Sequence, residues 1–249
     1  FGQMTGIDLR GEVPGVLPSQ DWKRRAYKRP EQQRWYAGET ISLGIGQGYN
    51  SFTMLQLAQA TAIVANRGIR HRPHLGLATE DAVSRLRHPI QRPAGEDLGL
   101  NPAHIESVVR AMVGVTQEGT STRVFAGAAY LSAGKTGTAQ AVTIGQKDKY
   151  DARKMEEHQR DHSLYIAFAP ADAPKVAVAV VVENAGFGAA HAAPIARRIF
   201  DYVLLDQYPN EQDLVAVQKG LAAAPIGQPL KASEVVWPAP EASKTDLQK

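Results

Sequence analysis

The sequence predicts an α+β fold, an antiparallel sheet packed between helices, on three observations. β-Prone stretches follow one another over 130–142, 163–169 and 175–183, and only the turn Pro170–Pro174 separates the last two. That spacing suits an antiparallel pair. The run Val180-Val181-Val182 is apolar without alternation, as in a strand covered on both faces. Helical apolar stripes stand before these strands, over 101–119, and after them, from Pro194.

Residues 1–40 are rich in Gly, Pro and charge and read mostly as loop. Thr40–Leu43 is short and β-prone, with Gly44, Gly46 and Gly48 behind it. A helix fits 53–67: Thr53 can cap its start, Leu57, Thr61, Val64 and Ala65 share a face, and Gly68 can end it. A second helix has Asn101 as N-cap, Pro102 at its first position and Gly119 at its close. Within it Ile105, Val108, Val109, Met112, Val113 and Thr116 make one stripe for burial. In the helix opened by Pro194, the residues expected to cover the sheet are Ile195, Ile199, Tyr202 and Val203. Residues 1–206 form the structured part by this reading. Residues 207–249, Ala- and Gln-rich with Pro225, Pro229, Pro238 and Pro240, are expected to be a partly disordered tail.

Composition narrows the chemistry. The 249 residues can bury a core, and 28 basic against 25 acidic residues leave only +3, too little to imply a polyanionic partner. Without cysteine there are no disulfides, thiolate metal sites or cysteine nucleophiles. The longest apolar run, Val176–Val182, is far short of the roughly 20 residues that cross a bilayer. The opening Phe1-Gly2-Gln3-Met4-Thr5 has no initiator methionine and no signal pattern, so the chain reads as the middle of something longer.

The most informative stretch is Ala133-Gly134-Lys135-Thr136-Gly137-Thr138-Ala139-Gln140. As a phosphate-binding loop it fails in spacing, because Ala129 stands where the first glycine belongs and β-prone residues follow instead of a helix. As an edge strand it has a chemistry. An ammonium and a hydroxyl side by side can grip a carboxylate through charge-assisted hydrogen bonds. A glycine beside them lets a bound peptide approach the backbone. The following amide, on Thr138, can face a carbonyl oxygen that turns negative during acyl transfer.

The Lys-Thr-Gly triplet is one of three signature motifs of penicillin-binding proteins and serine β-lactamases. The match extends to Gly44-Ile45-Gly46-Gln47-Gly48-Tyr49, Ala65-Asn66-Arg67-Gly68, Ala167-Phe168-Ala169-Pro170 and Ala192-Ala193-Pro194-Ile195-Ala196. Over about 1–206 the chain resembles class B penicillin-binding proteins, most of all those of the elongation type. The resemblance implies a β-lactamase/transpeptidase-like sheet, incomplete at its N-terminal side, with the triplet on one wall of the active-site groove. Lys135 and Thr136 would hold the terminal carboxylate of a D-Ala-D-Ala stem peptide or a β-lactam. Gly137 would let it lie close, and the Thr138 amide would form half of the oxyanion hole. It further implies a D,D-transpeptidase that cross-links peptidoglycan through a serine acyl-enzyme without a cofactor. The setting would be the periplasmic face of the bacterial inner membrane, with a SEDS-family glycan polymerase as partner.

The serine itself is missing from the sequence. Ser132-Ala133-Gly134-Lys135 has the Ser-x-x-Lys spelling, but an offset of three on a strand sends the two side chains to opposite faces, and Lys135 already belongs to the triplet. No Ser-x-Asn occurs, and Ser19-Gln20-Asp21 after Pro18 reads as an N-cap or turn. The chain alone is therefore expected to be inactive, its nucleophile and general base lying upstream. A binding module of another class, a penicillin-recognising sensor or scaffold, is the alternative.

Other patterns carry less. Gly44-x-Gly46-x-Gly48 lacks the third glycine of a dinucleotide turn, Tyr49 being in its place. Lys23, Arg24, Arg25, Lys28, Arg29 and Arg34 interleave with Trp22, Tyr27, Trp35 and Tyr36, which reads as a solvated loop anchored by its aromatics, not as a nucleic-acid surface. His158 and His162 are four apart, but Gln159 replaces the glutamate of a zincin helix, and the stretch 147–162 reads as a solvated helix. His71 and His74 form no metal motif, and His191 reads as a turn residue.

Overall fold

The computed structural model describes residues 1–140 and 155–235. Its helices are α1 (Gln20–Ala26), α2 (Pro30–Gln33), α3 (Ala37–Gly44), α4 (Met54–Ala65), α5 (Pro102–Gln117), α6 (Thr122–Phe125), α7 (Ala192–Leu205) and α8 (Glu211–Gln218). Short strands β1 (Ile69–Arg70), β2 (Ala78–Glu80), β3 (Arg87–Pro89) and β4 (Glu96–Asp97) lie between α4 and α5. The main sheet is β5 (Ala133–Ala139), β6 (His162–Ala169) and β7 (Val176–Val182), and a minor pair is β8 (Gln207–Tyr208) with β9 (Leu230–Lys231).

The main sheet is antiparallel in the order β5-β6-β7, which leaves one rim of β5 unpaired among the described strands. Thr136 faces Tyr165 and Tyr165 faces Val180, so one register runs across all three strands. Period-two alternation then sorts the core into two layers. On one face Ala133 and Phe168 pack with Ala65, Ile105, Val109 and Met112 from α4 and α5. On the other, Tyr165, Ala167 and Ala169 pack with Ala192, Ala193, Ala196 and Phe200 of α7. Tyr165, Phe168 and Phe200 are wholly buried, each contributing roughly 1.5–3 kcal/mol of transfer free energy.

The caps of the two long sheet-covering helices fall where the sequence places them. Thr53 Oγ1 accepts from the Gln56 N–H at 3.1 Å while Gln56 Oε1 accepts from the Thr53 N–H at 3.0 Å, a reciprocal capping box. Asn101 Oδ1 accepts from Ala103 N–H at 2.9 Å, and Pro102 opens α5. Gly68, at φ +99°, ends the first of these chains in a conformation that a side chain would strain. Within the α5 stripe, Ile105, Val109, Met112 and Thr116 are buried, whereas Val108 points to solvent.

Three expectations need correction. Thr40–Leu43 is helical, inside α3, because Glu39 caps that helix by accepting from the Tyr36 N–H at 2.8 Å. Residues 1–40 are mostly loop, as expected, with α1, α2 and the start of α3 set among them, and Ser19 Oγ caps α1 by accepting from Trp22 N–H at 3.0 Å. The face of α7 that covers the sheet is not Ile195, Ile199, Tyr202 and Val203 but the alanine row ending in Phe200; Tyr202 and Val203 are exposed. Small residues bring the helix axis close to the sheet, and the larger ones turn away.

The third concerns residues beyond 206. Over 207–235 the segment forms β8, α8 and β9 and is fastened to α7 by a buried ion pair. Arg198 Nε and Nη2 donate to Asp213 at 3.0 and 2.6 Å, and Arg198 Nη1 donates to the Ala223 carbonyl at 2.6 Å. Residues 236–249, with Pro238 and Pro240, lie outside the described residues, as do Ala141 and Val142 of the expected strand and 147–154 of the expected helix. The remainder of that expected helix shows only a short 3₁₀ turn, Glu157–Gln159. No helix among the described residues is long and apolar enough to cross a membrane.

Candidate active-site wall

Strand β5 owes its position to two glycines. A Cβ on Gly134 would lie 2.2 Å from Tyr165 Oη, so only glycine allows β5 to lie over that ring. Tyr165 is itself fixed, its hydroxyl 2.9 Å from Ser121 Oγ, which is fully buried beneath the turn between α5 and α6. Burial pushes the Tyr165 phenol up to about 12, the Ser121 bond working weakly against it, so the hydroxyl stays protonated. At Gly137 an added Cβ would stand 3.2 Å from Leu164 Cβ, a tight but less severe contact.

The hexad Gly134 to Ala139 lies extended beside a groove of about 440 Å³. The loop after α3, with Gln47, Asn50 and Phe52, forms its opposite side. Alternation places Lys135, Gly137 and Ala139 on the face toward α4, and Gly134, Thr136 and Thr138 on the face toward α7. The sequence reading of Lys135 and Thr136 as side-by-side ligands is refined accordingly. Thr136 and Thr138 are the pair that shares a face, and Lys135 can meet them only around the unpaired rim.

Lys135 is exposed, and its ammonium donates to the Thr136 carbonyl at 2.7 Å. Among the described residues it has no carboxylate within ion-pair distance, so its charge is available to an incoming anion. Two neighbours were not singled out by chemistry in the sequence. Gln47 Nε2 donates to the Thr138 carbonyl at 2.8 Å, and the hydroxyls of Thr120 and Thr136 lie 3.1 Å apart. Gln47 stands between two glycines, the one local signal that its backbone is specially placed; Thr120 follows a helix-ending glycine and carries none.

Ser132 is buried with its hydroxyl unpartnered, on the far side of the strand's rim from the exposed Lys135. His158 stands in solvent 3.4 Å from Glu156, whereas His162 Nδ1 accepts from Asn184 N–H at 3.0 Å, so the two do not converge. Among the described residues no three His, Asp or Glu side chains form a metal-holding group. His191 immediately precedes α7 against Gly220, and burial lowers its pKa.

The basic, aromatic stretch folds inward. Lys23 is buried, pairs with Glu39, and donates to the Arg34 carbonyl at 2.8 Å. Tyr49 Oη also donates to Glu39 at 3.1 Å, and Trp22, Tyr27 and Tyr49 pack against one another edge-on and tilted. This cluster fixes α1 and α3 and thereby the loop bearing Gln47.

The family described as penicillin-binding protein transpeptidase domain matches residues 1–201. A peptidoglycan D,D-transpeptidase MrdA of Haemophilus influenzae is 41% identical over 214 residues, covering 84% of this chain and 32% of that protein. The MrdA of Acinetobacter baumannii is 42% identical over 212 residues, 84% of this chain and 30% of that protein. Among solved structures, Pseudomonas aeruginosa PBP2 in complex with WCK 5153 superposes with a TM-score of 0.67 at 42% identity, covering 83% of this chain and 42% of that one. The complex of PBP2 with MreC from Helicobacter pylori gives a TM-score of 0.63 at 27% identity over 82% of this chain and 34% of that chain. The chain thus spans about a third of the length of the curated relatives it matches.

Proposed function

Because this chain belongs to the penicillin-binding protein transpeptidase domain family, we propose that β5 is the substrate-holding wall of a peptidoglycan D,D-transpeptidase. The single observation that carries the assignment is the hexad Gly134–Ala139, extended along an open groove with a lysine that has no carboxylate partner among the described residues.

In this reading a stem peptide ending in D-Ala-D-Ala lies along the rim of β5. Thr136 and Thr138 donate to its terminal carboxylate, and Lys135 supplies the opposite charge, an arrangement stronger than neutral hydrogen bonds. Gly137 keeps the approach open. A serine from elsewhere in the full-length protein attacks the penultimate D-Ala carbonyl carbon, and its proton passes to a base. The carbonyl oxygen becomes negative facing the Thr138 amide. Collapse breaks the amide bond and expels D-Ala as an amine that takes up a proton. An amine of a neighbouring stem peptide then displaces the serine oxygen and completes the cross-link. A β-lactam enters the same groove and leaves the serine acylated.

The same reading puts the protein at the periplasmic face of the inner membrane. A SEDS-family glycan polymerase and an MreC-like protein are its proposed partners, the latter because a PBP2 relative is known in complex with MreC.

The test is Lys135→Ala in the full-length protein. Covalent labelling by a fluorescent penicillin should slow by about one to three orders of magnitude, roughly 1.4–4 kcal/mol, with the melting temperature unchanged. Unaltered labelling in a correctly folded variant would sink the assignment.

A further inference from the structure

We infer that Thr120, outside the Lys-Thr-Gly triplet, is a positioning residue that aims the Thr136 proton at the substrate carboxylate. The inference rests on the reading of β5 as the carboxylate-binding wall and adds a second hydroxyl to it.

The argument begins with hydrogen counting. A threonine hydroxyl carries one proton and two lone pairs, whereas an ionised carboxylate only accepts. Thr136 can therefore hold a carboxylate only by giving that bond its single proton. Thr120 Oγ1 lies 3.1 Å from Thr136 Oγ1, and either could donate. If Thr136 donated to Thr120, nothing would remain for the substrate. With the direction reversed, Thr120 donates to Thr136 and Thr136 donates to the carboxylate. Each bond in such a chain polarises the next, and the terminal one is charge-assisted.

The local structure supports the contact itself, because the neighbours of Thr120 hold it still. Gly119 N–H donates to the Gly114 carbonyl at 2.9 Å, and a Cβ at Gly119 would meet Val115 Cα at 2.7 Å, so the turn is tight and admits only glycine. On the other side Ser121 is buried, its N–H and Oγ both donating to the Val115 carbonyl at 3.1 Å. Thr122 Oγ1 donates to the Gly119 carbonyl at 2.8 Å. A hydroxyl between two anchored residues loses little freedom on forming its bond. Thr136 is placed with equal firmness, since its strand neighbour across β6 is Tyr165, bonded to Ser121. Thr120 and Thr136 are thus held through one network, Ser121 and Tyr165 tying the α5–α6 turn to the sheet.

The experiment uses the full-length protein and two forms of one fluorescent penicillin, the free acid and its carboxyl ester, with Thr120→Val, Thr120→Ser and Thr136→Val. Thr120→Val is expected to slow acylation by the acid about three- to tenfold, the worth of one neutral hydrogen bond. The ester rate should be unchanged by it, and Thr120→Ser should restore the acid rate. Equal slowing of acid and ester by Thr120→Val would assign it a merely structural role and overturn the inference. A normal acid rate in Thr120→Val, with Thr136→Val slowed, would also overturn it while leaving the carboxylate wall intact. Normal acid rates in both valine variants would remove the wall itself, and the inference with it.

Discussion

Gln47 Nε2 donates to the carbonyl of Thr138 at 2.8 Å, a bond between residues 91 positions apart. It ties the loop after α3 to the half of β5 whose amide is assigned to the oxyanion. Gln47 is in turn placed by α3, which Lys23 and Glu39 fasten to α1.

Removing that tether should loosen β5 without unfolding the domain. Gln47→Ala is expected to lower acylation of the full-length protein by a fluorescent penicillin about three- to tenfold, the loss expected from one hydrogen bond. Gln47→Glu should be worse, since it sets a carboxylate against a carbonyl oxygen. Stopped-flow labelling of the three proteins at one pH checks the order.

Gly134 should not tolerate even a methyl group. Its added Cβ would sit 2.2 Å from Tyr165 Oη and 2.6 Å from Cζ of the same ring. Gly134→Ala is expected to destabilise by about 1–3 kcal/mol through overpacking. Combining it with Tyr165→Phe should not rescue it, because the ring carbon remains in the way. Thermal melting of the single and double variants is the measurement.

Asp213→Ala should detach the segment after α7. It would leave the Arg198 guanidinium, 8% exposed at its side chain, without its carboxylate. Breaking one side of such a buried pair costs about 3–5 kcal/mol. Hydrogen exchange over 207–235 should rise well before exchange in β6 and β7 does.

Strong acid should loosen the cluster around Glu39. The Lys23 hydrogen bond, then the Tyr36 N–H, hold the Glu39 carboxyl below its ordinary value of 4.5. Loss of hydration is the largest single influence on the Lys23 ammonium and works against it, but the bond to Glu39 and the charges of Tyr49 and Glu39 together raise its pKa above the ordinary lysine value. A carboxylate depressed in the folded state lends stability that is fully present above pH 4.5 and is lost as pH falls through the folded value. Fluorescence of Trp22 and Trp35 should report a transition below pH 4.5, and Glu39→Gln should abolish that step.

Local signals account for much of the fold. Thr53 with Gln56, and Asn101 with Pro102, announce their helices because capping is settled within a few residues. Strand β5 is readable because Gly134 and Gly137 mark close approaches that glycine alone permits. Helix α3 is unreadable at Thr40-Ile41, whose β-branched side chains argue for a strand; its stability comes from Glu39 and the distant Lys23. The buried face of α7 is equally hidden, since Arg197 and Arg198 look like surface residues. Their burial depends on Asp201, four residues along the same helix, and on Asp213 beyond it. Within the site, Lys135, Thr136, Gly137 and Thr138 stand together in the sequence, whereas Gln47 and Thr120 join them only through the tertiary fold.

The rim of β5 that no described strand pairs has a consequence for the protein's company. A rim that can take in one extended peptide can take in the strand of another copy, through the same backbone groups. What discourages such stacking is charge on Lys135 and the poor strand-forming habit of the glycines around it. On the proposed reading, neutralising that lysine would do two things at once: dull the grip on a peptide end and remove a guard against self-assembly.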